Sequence, residues 1–322
     1  MESALALVGD ELKQVEEQFR IDLDSEVPLI RKVGEYVLAS GGKRIRPLLL
    51  LMAAKVSGYQ GDRHIPLASV VEFIHTATLL HDDVVDSSDI RRGAASANAV
   101  WGNEASVLIG DYLFSKSFSL MVAQGDLAVL KVLAGATTTI AEGEVLQLVS
   151  TADATITEER YLSIIQGKTA VLLSAACEVG AILGKVSPVQ QQALRDYGMD
   201  LGVAFQLMDD TLDYTATQEE FGKPTGHDIL EGKVTLPLIH TLRTCSSEDQ
   251  ERITAILCLE SPDSAAIAEI SSQVRIHGGI EQTMQRAAQY VSSAKARLDV
   301  FPDTPPRRAL YDIADYVVSR SK

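Results

Sequence analysis

The chain has 322 residues, 46% hydrophobic, 23% charged and only 5% aromatic, a soluble globular balance that excludes disordered and fibrous classes. A net charge of −15 excludes a nucleic-acid-binding surface, which needs a basic stripe, but not anionic small molecules held by a local cluster of Arg and Lys. The length permits two average domains or one large helical domain with an extensive core.

From the start, Glu2, Asp10, Glu11, Lys13, Glu16, Glu17 and Arg20 leave no room for the apolar region of a signal peptide. The longest uncharged stretch runs from Gly93 to Asn103, far short of a membrane span, so a cytoplasmic protein without a spanning segment is expected. Between Pro66 and Pro188 there is no proline, and apolar residues recur at helical spacing, which favours long helices. Thr155 to Glu158 reads as a capping box opening one of them. Turn residues place breaks at Gly41-Gly42, Ser57–Asp62, Ser87–Ala97, Gly184–Pro188, Thr215–Gly226 and Phe301–Pro306. Alternating strand patterns are scarce, and the reading is one all-α domain over residues 1–322. Cys177, Cys245 and Cys258 have no C-x-x-C spacing and read as buried small hydrophobes in a reducing compartment.

An apolar helical run beginning near Ala68 ends in His81-Asp82-Asp83-Val84-Val85-Asp86. Residues four apart share a helix face, which puts Asp82 and Asp86 together. The pattern returns at Gln206-Leu207-Met208-Asp209-Asp210-Thr211-Leu212-Asp213, where Gln206, Asp209 and Asp213 share a face. One acidic cluster could be a solvated helix end; two, each emerging from apolar helix, point to a site. Carboxylates ~4 Å apart repel by roughly 4 kcal/mol per pair at an effective dielectric of ~20, so such clusters call for cations. All-oxygen ligands suit Mg²⁺, which keeps waters and bridges to phosphates.

Basic residues stand beside glycines near both clusters: Lys43, Arg44 and Arg46 after Gly41-Gly42, Arg91-Arg92-Gly93, Gly167-Lys168-Thr169, Gly222-Lys223 and Gly232-Lys233. Singly these read as surface charges, but as a set they suit phosphate oxygens. Gly167-Lys168-Thr169 interrupts a helical stretch and is not a Walker A loop, because position 162 is Leu162. His81, beside two aspartates, reads as structural or orienting.

These motifs, in this order from Gly41-Gly42-Lys43-Arg44-Ile45-Arg46-Pro47 through Glu142-Gly143-Glu144 and Gln147 to Tyr316-Val317-Val318-Ser319-Arg320, resemble the trans-type polyprenyl diphosphate synthases over nearly the whole chain. The chain looks most like the long-chain bacterial members that make quinone side chains, with an octaprenyl product. The resemblance implies the isoprenoid synthase fold, a single-domain helical bundle around a deep central cavity, assembled as a homodimer. It implies three magnesium ions per active site, with Asp82, Asp86 and Asp209 as principal ligands and Asp83, Asp210 and Asp213 supporting. Arg91, Lys168 and Lys233 would hold the allylic diphosphate, and Gly42, Lys43, Arg46, His75 and Arg92 would hold isopentenyl diphosphate. Thr169 and Gln206 would lie near the developing allylic cation, while Lys223 and Asp228 would help close the site. Ala77 and Thr78, about one turn before Asp82, are small where short-chain relatives resemble a bulky plug, which implies a long product. Rivals are a terpene cyclase of the same fold, a shorter-chain geranylgeranyl diphosphate synthase and a non-catalytic regulatory subunit. Two intact acidic clusters and the Gly42-Lys43-Arg46 and Arg92 set argue against the cyclase and the subunit.

Overall fold

The computed structural model describes residues 1–215, 226–259 and 261–319, and these are almost entirely helical. The first helices are α1 (Glu2–Asp22), α2 (Pro28–Ala39), α3 (Ile45–Val56) and α4 (His64–Val85). After a short hairpin, β1 (Ile90–Arg91) paired antiparallel with β2 (Ala94–Ala95), come α5 (Ala97–Trp101), α6 (Asn103–Ala123) and α7 (Leu127–Leu148). Next are α8 (Glu158–Ile165), a π-helical turn (Gln166–Ala170), α9 (Val171–Gly184) and α10 (Pro188–Thr215). The series closes with α11 (His227–Leu230), α12 (Leu236–Thr244), α13 (Ser247–Leu257), α14 (Ser264–Ile276), α15 (Gly279–Arg297), a 3₁₀ turn (Leu298–Val300) and α16 (Pro305–Ser319).

Local chemistry explains many of the boundaries. Ser96, Thr157, Ser246 and Asp263 each accept a backbone N–H of the following first turn as N-caps. Pro28, Pro188 and Pro305 stand at helix starts, where a missing N–H costs nothing. Thr155 is not a cap. α8 begins at Glu158 behind Thr157, whose hydroxyl accepts from the Arg160 N–H, and Thr155 bonds Asp153 instead. The 86–96 break contains the two-residue hairpin that the period-2 pattern is too short to announce.

The chain divides into two compact units, and all five boundaries between them fall inside helices. Unit one comprises Met1–Thr138, Leu172–Gly198 and Arg297–Ile313; unit two comprises Thr139–Val171, Met199–Ala296 and Ala314–Lys322. In unit one, α4 is buried on nearly every side and packs against α1, α3 and α6. Phe19 and Phe73 stack with ring centroids 4.2 Å apart, in a cluster that also holds Leu23, Ala77, Leu80, Ile109 and Leu113. In unit two, Leu207 and Met208 of α10 are fully buried, as are Leu236 and Leu238 of α12, and Arg275 donates to the Tyr214 carbonyl.

One stretch, Glu158–Gly184, is long and apolar enough by length and composition to cross a membrane, which the reading of short uncharged runs did not register; 67% of its most apolar window is buried in the protein. Cys177 is buried as expected, Cys245 is half-buried, but Cys258 is exposed, so the cysteines are not all core residues.

Candidate active site

The site residues of unit one sit at the C-terminal end of α4 and in the two loops that flank it in space. Asp82 lies one turn before Asp86, the C-cap, whose N–H donates to the Asp82 carbonyl at 2.8 Å. Both carboxylates are half-buried, whereas Asp83 points inward and is only 3% exposed. There it accepts from Arg91, with Nε 2.7 Å away and Nη2 2.6 Å away. A buried carboxylate engaged this way orients the guanidinium of the hairpin. The Asn98 amide ties the same turn to α5 through the Asp83 carbonyl at 3.1 Å.

The glycine-rich loop before α3 divides its three cations. Arg44, in the left-handed region at φ 48°, turns into the protein to meet Glu72 at 2.7 Å, Glu16 at 3.2 Å and the Leu38 carbonyl. Lys43 stays exposed, and Arg46 reaches His75 Nε2 at 3.0 Å. Gly42, at φ +146°, holds a backbone conformation that side chains rarely adopt, and the Arg92 guanidinium lies close over it, with Nη1 2.7 Å from where a Cβ would stand. Arg92 itself has φ 53° and Ser87 φ 50°, so the loops that carry the cations hold strained residues, each costing about 1–2 kcal/mol. His75 lies in the field of Arg46, Arg92, Arg91 and Arg44. Burial first, then those four positive charges, push its pKa well below the ordinary histidine value and keep it neutral. His81 is structural, as expected: its Nε2 is 3.1 Å from the Val107 carbonyl and the ring packs against Phe114 and over Gly110. Ala77 is fully enclosed in the apolar cluster of α4 and α6, while the Thr78 hydroxyl bonds the His75 carbonyl at 2.7 Å.

In unit two the helix carrying Gly167-Lys168-Thr169 is not interrupted but widened. α8 passes through the π turn into α9 without leaving helical geometry, a local change common at functional sites. The turn is gripped by glycines. A Cβ on Gly143 of α7 would lie 2.6 Å from the Lys168 backbone nitrogen, and one on Gly202 of α10 would lie 2.5 Å from the Ala170 Cα. Lys168 pairs with Glu144 at 2.8 Å, and the Thr169 hydroxyl donates to Gln206 Oε1 at 2.9 Å. Gln206 Nε2 donates in turn to Asp210 Oδ1 at 2.8 Å, and the Tyr161 hydroxyl donates to Asp210 Oδ2. Lys168, Thr169, Gln206, Asp210 and Tyr161 line one cavity of about 110 Å³ together with Lys233 and Asp228.

The second acidic cluster repeats the division seen in the first. Asp209 is half-buried; Asp210 is buried, and burial lifts its pKa to about 7 against the lowering effect of its Tyr161 and Gln206 hydrogen bonds. Asp213 accepts the backbone N–H groups of His227 and Asp228 at 3.1 and 3.0 Å, which fixes the start of α11. Asp228 has its pKa raised, by burial first and then by Asp213 and Asp210, and its carbonyl accepts the Lys233 N–H at 2.7 Å. Lys233 pairs with Glu231 at 2.5 Å; burial works against ionising Glu231, but His227 and Lys233 outweigh it and hold the acid at about 2. Lys223 lies outside the described residues. Among the described residues, no three His, Cys, Asp or Glu side chains gather closely enough to enclose an ion. Each unit taken by itself offers donors that suit Mg²⁺, which takes one or two carboxylates and completes its shell with water and phosphate oxygens: Asp82 and Asp86 one turn apart in the first, Asp209 beside its inward-turned neighbour in the second.

Sequence reasoning missed Tyr161. It stands seven residues before Lys168, two helical turns, so the spacing that puts Ile164, Ile165 and Lys168 on one face could have found it.

Residues 27–274 match the family model described as Polyprenyl synthetase. The chain belongs to the polyprenyl synthetase family. Within it, the chain is 44% identical to the octaprenyl diphosphate synthase of Escherichia coli over 323 residues, covering 100% of this chain and 99% of that protein. It is 40% identical to the octaprenyl diphosphate synthase of Haemophilus influenzae, covering 98% and 95%. Among solved structures, a decaprenyl diphosphate synthase from Rhodobacter capsulatus superposes with TM-score 0.95 at 43% identity, covering 100% and 99%. A polyprenyl synthase from Caulobacter crescentus, solved with calcium and isoprenyl diphosphate, gives 0.96 at 41%, covering 100% and 98%. The expected isoprenoid synthase fold is therefore the fold of this polyprenyl synthetase.

Proposed function

We propose that this family member is a magnesium-dependent trans-prenyltransferase. Acting as one catalytic domain, it elongates an allylic diphosphate, farnesyl diphosphate by preference, with successive isopentenyl diphosphates to an octaprenyl diphosphate destined for a quinone side chain. The observation that carries this reading is the pairing, in unit one, of two unlike anion holders. One is the carboxylate pair Asp82 and Asp86, suited to a metal-bound diphosphate. The other is the set of Arg46, Arg92 and neutral His75 around Gly42, suited to a diphosphate held by bare cations. A terpene cyclase needs only the first.

Magnesium, when bound by Asp82, Asp86 and Asp209 in the family's complement of three ions, would neutralise the diphosphate leaving group. Arg91, oriented by Asp83, Lys168, oriented by Glu144, and Lys233, oriented by Glu231, bind its remaining oxygens. Gly42, Lys43, Arg46, His75 and Arg92 hold isopentenyl diphosphate. The allylic C–O bond breaks, the double bond of isopentenyl diphosphate attacks the allylic carbon to form the C–C bond, and a C–H bond breaks to restore the alkene. The proton passes to an oxygen of the released diphosphate. The oxygens of Thr169 and Gln206 face the cation, and Asp228 and Lys223 help shut out water. Ala77, enclosed in the core, and Thr78 beside it are small, and that smallness, as the family resemblance implies, is what supports a long product handed on to a membrane. We place the enzyme in the cytoplasm as a homodimer, with the apolar outer side of α6 as the contact.

Incubation with labelled isopentenyl diphosphate and farnesyl diphosphate, resolved by chain length, tests the reading. An octaprenyl product that vanishes when magnesium is chelated is expected; release of a hydrocarbon without incorporation of label would overturn it.

A further inference from the structure

The hydrogen bonds of the cavity in unit two run in one direction. Asp210 accepts at both oxygens, at Oδ1 from Gln206 Nε2 and at Oδ2 from the Tyr161 hydroxyl, so Gln206 presents its NH₂ to it. That choice turns Gln206 Oε1 toward Thr169, and Oε1 also only accepts, so Thr169 must spend its hydroxyl proton there. Every donor in the chain points toward Asp210, and every remaining lone pair of Thr169 and Gln206 is left for whatever occupies the cavity. The order is anchored at its buried end by Tyr161. Its ring is 3% exposed and its hydroxyl donates to Asp210 Oδ2, the oxygen that Gln206 does not use.

We propose that Tyr161 is a positioning residue for prenyl transfer: by fixing the Asp210 carboxylate it locks the Gln206 amide and the Thr169 hydroxyl with their oxygens toward the allylic cation. This rests on the reading that Thr169 and Gln206 lie beside that cation. Without the Tyr161 hydroxyl, Asp210 is held from one side only and can rotate. The Gln206 amide is then free to turn its NH₂, the positive end of its dipole, toward the site. The loss would fall on the cationic stage of the reaction and spare the binding of the neutral tail and diphosphate, because Tyr161 meets them only through Asp210.

The test is equilibrium binding to the full-length protein with magnesium, using two allylic diphosphate analogues. One carries an ammonium nitrogen at the cationic carbon; the other is an uncharged thiolodiphosphate. Tyr161→Phe should bind the ammonium analogue about tenfold more weakly, the worth of one well-placed hydrogen bond, and the uncharged analogue as wild type does. Gln206→Leu should lose at least as much for the ammonium analogue, and adding Tyr161→Phe to it should cost nothing further. Wild-type binding of the ammonium analogue by Tyr161→Phe, equal weakening of both analogues, or additivity in the double variant would overturn the positioning role. Wild-type binding of the ammonium analogue by Gln206→Leu would instead overturn the placement of Gln206 beside the cation, and the proposal with it. Retained binding of the uncharged analogue also shows that Tyr161→Phe folds.

Discussion

His75 is held neutral by its burial first and by four arginines after it, and that has a consequence for stability. An unfolded histidine takes up a proton near pH 6.5, while His75 in the folded protein takes it up only at lower pH. Between those two values the unfolded state binds the extra proton, so stability falls as pH drops through about 6.5 and the loss is complete below the folded pKa. Above the unfolded value the group contributes no such penalty. His75→Asn removes the effect. The urea midpoint of the variant should therefore fall less than that of wild type between pH 8 and pH 5.5, and parallel losses would show that His75 does not titrate between the two states. Three of the arginines that depress His75, Arg46, Arg92 and Arg91, are also the ones offered to a diphosphate, whereas Arg44 is turned inward to Glu72. Asp83, Asp210 and Asp213, by contrast, are spent on Arg91, on Tyr161 with Gln206, and on the backbone of α11. Within each acidic cluster, then, the residue type is shared but the task is not.

At the scale of elements, the π turn depends on the helices that touch it without side chains. Gly143 and Gly167 cross so closely that the Gly167 Cβ position would be 3.2 Å from the Gly143 Cα, and the contacts are to backbone that has little room to yield. Gly143→Ala should therefore cost about 1–3 kcal/mol of stability, as overpacking does, and should displace Lys168 and Thr169. Turnover should drop more than the melting midpoint alone accounts for at assay temperature. Gly9→Ala is the control: it lies in α1 with open space around it and should gain about 1 kcal/mol from helix propensity. If the two variants are equally active and equally stable, the close crossing is not what shapes the turn. The sequence carries the helices legibly, because their apolar period and proline spacing are local properties. It also carries Asp82 and Asp86, because four residues make one helical turn. It does not show that Arg44 turns inward to Glu72, that Asp83 meets Arg91, or that Tyr161 meets Asp210. Those pairings join residues 28, 8 and 49 positions apart through a left-handed residue, a hairpin and a helix crossing. The Gly167-Lys168-Thr169 stretch read as a break because glycine lowers helix propensity, but the apolar face that runs from Tyr161 through Ala170 keeps the backbone helical.

For the whole molecule, α6 raises a question that its own unit does not answer. Its inner side buries Ile109, Leu113 and Met121, and its outer side carries Val107, Leu108, Phe118 and Val122 in the open, continued by Val100 before it and Leu127 after it. A surface helix ordinarily has one apolar stripe, and a monomer rarely leaves a second one of this extent to water. On the proposed homodimer a second copy of the chain covers it, because a two-fold contact buries the same stripe on both partners. Leu108, 67% exposed, is the residue through which to test this. On a bare surface Leu108→Glu would change stability by no more than about 0.5 kcal/mol and leave the mass in solution unaltered. At a two-fold contact it places a carboxylate in an apolar seam of each partner, and the dimer should dissociate. Sedimentation velocity should then find the variant as a monomer at concentrations where wild type is a dimer, with its helical circular dichroism retained. Its melting midpoint should also lose the dependence on protein concentration that dimerisation imposes. A variant that sediments as a dimer beside wild type would mean that the outer side of α6 serves some other contact.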